Sequence, residues 1–212
     1  MPREFDRPVK LAATVFDNMP GGTDPALQQE LAERTAWALL GRVRDAERAG
    51  DREGIERVIA HAADNGVDDI AELWSHAHSR SLAGVLWRLY LVRAAIGSKL
   101  GFVTTLYRLA VDTELSVNPA VVGISDPATP EEIEHLADEI LRGVFVGDFA
   151  AALERAAAYC RVIALGSALH AEERAEFNAD EARDLTARGL RYSIFGDDFQ
   201  AAATAWRQGQ LD

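Results

Sequence analysis

The sequence predicts an all-α fold of about eight or nine helices in antiparallel hairpins, arranged as two packed lobes with no substantial sheet. Three observations carry that expectation. Apolar residues recur at offsets 0, 3, 4 and 7, the spacing that lines one face of an α-helix. Helix starts are marked by Asp, Thr or Asn at the capping position, followed by Pro or acidic residues. No alternating apolar and polar run, the mark of a half-buried strand, exceeds about four or five residues.

Residues 1–23 contain Pro2, Pro8, Pro20, Gly21 and Gly22 and read as an N-terminal arm ending in a turn, with Val9–Phe16 suited to a short extended piece. A first helical lobe is expected over 24–115. Asp24 caps its first helix and Pro25 takes the first helical position. Leu27, Leu31, Leu39 and Val43 form the expected buried face, and Gly50 marks the end. Asp51 begins a second helix with Ile55, Val58, Ile59 and Ala62 on one face. Ile70, Leu73, Trp74 and Ala77 define a short third helix. From Ser81 to Ile96 the chain is apolar on nearly every face, which predicts a central helix with Trp87 buried. Past the turn Gly97-Ser98-Lys99-Leu100-Gly101, a fifth helix aligns Phe102, Thr105, Leu106 and Leu109.

Pro119, Gly123 and Pro127 make 116–129 the connecting loop to a second helical lobe over 130–212, the two together forming one compact domain. Thr129-Pro130-Glu131-Glu132 is a capping-box start, and Ile133, Leu136, Ala137, Ile140 and Leu141 form the face behind it. Asp148 caps an Ala-rich helix reaching about His170. Asn178 to Glu181 is another capping box, and a last helix carries Phe199, Ala202, Ala203 and Trp206.

A faint internal similarity links Leu141–Ala152 with Leu190–Ala201, each holding Gly-Asp near a Phe and an Ala-rich stretch. Gly50-Asp51 and Gly101-Phe102 stand at comparable junctions. Over about 15 residues per copy this pattern resembles half of a tetratricopeptide-type hairpin, although the ~34-residue period of that family is absent. Any chain of Ala-rich helical hairpins generates similar matches. The resemblance, if followed, implies an interaction scaffold rather than an enzyme.

The net charge of −12 excludes general nucleic-acid binding, which requires a basic surface. The charge is segregated. Residues 1–72 carry 9 basic and 15 acidic residues, 73–111 carry 5 basic and none acidic, and 112–212 carry 8 basic and 19 acidic. One cysteine, Cys160, permits no internal disulfide and fits a reducing, cytoplasmic setting. The early acids at the N-terminus do not suit a secretory signal, and Arg88 and Arg93 interrupt the most apolar helix, so no membrane association is expected.

The acid-free stretch is the leading candidate site. Trp74, His76, Arg80, Trp87, Arg88, Arg93, Lys99 and Tyr107 combine aromatic walls with cations. That chemistry suits an anionic, partly apolar small molecule or an acidic protein partner. The structural alternative is a central hairpin whose arginines pair with acids elsewhere. Arg88 and Arg93 project about 140° apart on a helix, so at least one is expected to be buried and to need a carboxylate from outside 73–111. Helices at 130–140 and 172–184 are the expected donors.

Glu132 and His135 have the Glu-x-x-His spacing of di-iron bundles, but the second copy those sites require is lacking, so no metal or other cofactor is expected. Cys160 lies among Tyr159, Val162 and Ile163, as a core residue would. With no nucleophile elbow, Cys cluster or dinucleotide fingerprint, no catalytic residue is assigned. The preferred expectation is a non-enzymatic interaction or regulatory protein. The alternative is a bundle with a small-molecule pocket around 74–108, with enzymatic activity left open.

Overall fold

The computed structural model describes residues 24–51, 53, 73–113 and 129–211. Among these, six helices have both ends defined: α1 (Pro25–Arg48), α2 (Leu82–Ser98), α3 (Leu100–Asp112), α4 (Pro130–Val146), α5 (Phe149–Ala175) and α6 (Ala179–Arg207). Residues 73–75 are also helical, and no strand occurs among the described residues. The all-helical fold follows from the periodicity. The N-terminal arm, the second helix, Ile70 and the connecting loop as far as residue 128 lie outside the described residues.

The caps form as the sequence dictates. Asp24 accepts from the Ala26 amide at 3.0 Å, with Pro25 at the first helical position. Thr129 and Glu132 form the reciprocal capping box, at 3.2 Å from the Glu132 amide to Thr129 and 2.9 Å from the Thr129 amide to Glu132. Asp148 accepts from the Ala151 amide, and Asn178 from the Glu181 amide.

The expected count of eight or nine helices is slightly too high. The Asn178 helix and the Phe199 helix are one continuous 29-residue element, α6. Gly189 and Gly196, the latter in the Gly-Asp pair likened to the Gly147 junction, lie inside it as packing positions. A Cβ at Gly189 would stand 3.1 Å from the Ala164 carbonyl oxygen, and one at Gly196 3.3 Å from that of Ala157. Their lack of side chains lets α6 lie close along α5. The internal similarity fails for the same reason: Gly147-Asp148 is a helix junction, whereas Gly196-Asp197 is mid-helix.

The helix α5 organises the core. It packs along α6 and against α3 and α4, and it buries Phe149, Leu153, Tyr159, Cys160, Val162 and Ile163. Full burial of a side chain of this size contributes about 1.5–3 kcal/mol. Gly166 brings α3 so close that a Cβ there would stand 1.9 Å from the Leu106 carbonyl oxygen. Helices α2 and α3 are bent by 102° across Lys99. No single helix among the described residues is long and apolar enough to cross a membrane, and only the bent pair reaches that composition jointly. Its apolar residues face the core: Leu82, Val85, Leu86, Leu89, Val92, Ile96, Val103 and Leu106 are all buried.

The expected face of α1 requires correction. Ala32, Ala36, Leu40 and Val43 are buried, whereas Leu27 is 57% and Leu31 49% exposed. The helix packs against α2 and α4, and its buried face follows this stripe of small residues rather than the largest side chains.

Candidate functional site

Among the described residues, the candidate side chains of the acid-free stretch are spread over the turn before α2, α2 itself, the bend at Lys99 and α3. Trp74 is buried, and its indole Nε1 donates to Thr35 Oγ1 on α1 at 3.0 Å. His76 and Arg80 are exposed in the turn that follows, where His76 Nδ1 lies 2.8 Å from the Ser75 hydroxyl. Trp87, expected to be buried, is only partly so. It packs against the core and stacks on Tyr90, with ring centroids 5.5 Å apart. Lys99 is exposed at the α2–α3 bend. Tyr107 is buried on α3.

The two central arginines face different partners. Arg88 Nε donates to Asp198 Oδ2 at 2.9 Å, and Arg88 Nη1 donates to the Gly84 carbonyl at 3.0 Å. The same guanidinium lies over the Phe195 ring, 5.6 Å from its centroid. Both ionic side chains are largely buried, with 17% and 11% exposure. Arg93 Nε donates to Asp138 at 2.9 Å, and its Nη2 lies 3.9 Å from Glu134. Both arginines thus have carboxylates from outside 73–111. Arg93 uses the expected 130–140 helix, whereas Arg88 uses Asp198, beyond either expected donor segment. The reason is the unbroken α6, which carries Asp198 across α2.

The weak metal candidates are separated by their roles. Glu132 completes the capping box, while His135 is exposed and lies 3.5 Å from Glu139. Glu139 also accepts from Arg155 at 2.8 Å, a contact that holds its carboxyl below the usual range. Among the described residues no group of three or more His, Cys, Asp or Glu side chains could hold an ion.

Beneath these surface pairs lies a buried polar cluster. Burial pushes the Tyr159 hydroxyl upward, and the neighbouring Tyr192, Cys160 and Tyr107 act in the same direction. Tyr192 is pushed up to about 12, first by burial. Burial also raises the Cys160 thiol, which keeps it protonated and unsuited to nucleophilic attack. Among the described residues, the Tyr159 and Tyr192 hydroxyls have no hydrogen-bond partner.

A concavity among the described residues lies elsewhere, along the α5–α6 hairpin. It is an open cleft of about 750 Å³ floored by Ala164, Ala168, Ala171, Ala175, Ala182 and Gly189. Glu172, Arg183 and Leu190 also line it. Leu190 is 63% exposed, and Ile194 nearby on α6 is 48% exposed. No protein-family model, curated protein or solved structure matches this chain. The lining of the cleft is predominantly apolar, with Glu172 and Arg183 as its charged members. Sequence reasoning missed it, although one signal was visible: Ala164, Ala168, Ala171 and Ala175 recur at offsets 0, 4, 7 and 11.

Proposed function

We propose that the protein is a non-enzymatic interaction or regulatory protein and that the α5–α6 cleft is its docking face. The observation carrying this reading is an apolar hollow flanked by the exposed Leu190 and Ile194. Exposed apolar surface rimmed by polar residues is one mark of an interaction site. The arginines at the heart of the competing small-molecule reading already have internal carboxylate partners, which supports the choice.

A photo-crosslinking residue at Ser193, which lines the cleft, tests the proposal. A discrete adduct is expected in the producing cell, and Leu190→Glu is expected to abolish it while the circular dichroism spectrum is unchanged. A diffuse or absent adduct counts against the docking face. A large thermal shift with an anionic metabolite, lost on Arg80→Ala or Lys99→Ala, would replace this reading with the small-molecule one.

A further inference from the structure

Building on the reading of the α5–α6 cleft as a docking face, we infer that its occupant is the same face of a second copy of this chain, related by a two-fold axis running along the hairpin. Gly189 stands against Ala164, Ser167 and Ala168, and Gly196 against Ala157, Cys160 and Arg161, so α5 and α6 run antiparallel with residues 164–168 beside residue 189. Stepping equally along both helices places Ala171 beside Thr186 and Ala175 beside Ala182, all four of which line the cleft. Leu190 therefore projects at the level of the Ala164–Ala168 hollow. Glu172 on α5 and Arg183 on α6 lie within about two residues, or about 3 Å, of the same level on opposite sides of the cleft.

A two-fold axis along the hairpin lays α5 of one copy over α6 of the other at equal height. Leu190 of each copy then meets the Ala164–Ala168 hollow of its mate, a projection into a depression. Glu172 of each copy meets Arg183 of the other. The face is thus complementary to itself in shape and in charge, as a two-fold interface requires. Arg183 already contacts Asp180 at 2.7 Å, but both side chains are mostly exposed, and such a pair holds the guanidinium weakly. Donors on that fork remain for a second carboxylate. The chain's overall charge of −12 opposes association, yet residues 172–194 hold six acids and four arginines, a local net of only −2. The repulsion is therefore mainly long-range and is screened at physiological salt.

Size sets the strength. From Ala164 to Ala175 the cleft is about 17 Å long. Two helices wide, it offers less than the ~800 Å² per partner of a standard interface, so the dimer is weak and depends on concentration.

Sedimentation velocity of the full chain from about 5 to about 500 μM is the test, a range chosen for an interface below standard size. The expected result is monomer at the low end, dimer at the high end, and a dimer favoured by moderate added salt. Leu190→Glu should remain monomeric throughout. Glu172→Arg should weaken the dimer about tenfold, and Glu172→Arg combined with Arg183→Glu should restore it. With the Ser193 crosslinker, an adduct of twice the chain mass supports the inference. A monomer at the highest concentration whose crosslinks go to another protein, or back to residues 1–23, overturns the dimer but retains the docking face. A monomer with no adduct overturns both.

Discussion

Arg88 and Asp198 show what a single charge can fix inside this fold. The pair is mostly shielded from water, and the guanidinium has its remaining contacts in the Gly84 carbonyl and the Phe195 ring. Removing only the acid leaves a buried cation without its counter-charge, the costly half of breaking such a pair. Asp198→Ala is expected to lower stability by about 3–5 kcal/mol in a denaturant titration. Arg88→Met combined with Asp198→Leu should recover most of that loss, because an apolar pair of similar volume avoids desolvating either charge. The need for outside carboxylates was legible in the sequence, since an acid-free helix cannot neutralise two divergent arginines itself. The identity of Asp198 was not, because that contact spans 110 residues of chain.

At the scale of the helices, glycine separates packing from propensity. Gly41 in α1 has nothing within 4 Å of an added Cβ, whereas at Gly166 in α5 the Leu106 carbonyl oxygen would lie 1.9 Å away. Gly41→Ala is expected to stabilise the protein by about 0.5–1 kcal/mol through helix propensity. Gly166→Ala is expected to destabilise it by on the order of 3 kcal/mol, because backbone rather than a movable side chain must give way. Paired thermal melts of the two variants check both signs. Capping was the best-read feature of the helices: Asp24, Thr129 with Glu132, Asp148 and Asn178 were all identified from short-range sequence. The Gly196-Asp197 pair was likened to the Gly147-Asp148 junction because a glycine that admits a neighbouring helix has the same local sequence as one that ends its own.

Across the whole molecule, the buried tyrosines and the thiol tie stability to alkaline pH. Tyr159, Tyr192 and Cys160 are all raised, chiefly by burial, so the folded core accepts them only in their neutral forms. In the unfolded chain tyrosine ionises near pH ~10 and cysteine near ~8.5. Their contribution to stability is complete below those values and is lost as pH rises towards the folded values, which for Tyr192 is about 12. The denaturation midpoint is therefore expected to fall from about pH 9 upward and more steeply above about 10. Tyr192→Phe should flatten that decline and leave stability at pH 7 unchanged or higher, since its hydroxyl has no partner among the described residues to lose. A midpoint that does not change up to pH ~11 would contradict the linkage.

The sequence by itself determined the helical fold, the positions of most helix starts, the acid-free central segment and the requirement that its arginines be neutralised from elsewhere. These depend on spacing, capping and charge within a turn or two of each residue. Tertiary structure alone decided that α1 buries its alanines rather than Leu27 and Leu31, that α6 is unbroken, and that an apolar cleft lies along α5 and α6. Those outcomes depend on how closely two helices approach, and that distance is set jointly by small residues far apart in the chain. A helix records which of its faces are apolar, but which apolar face receives a neighbour is a property of the pair.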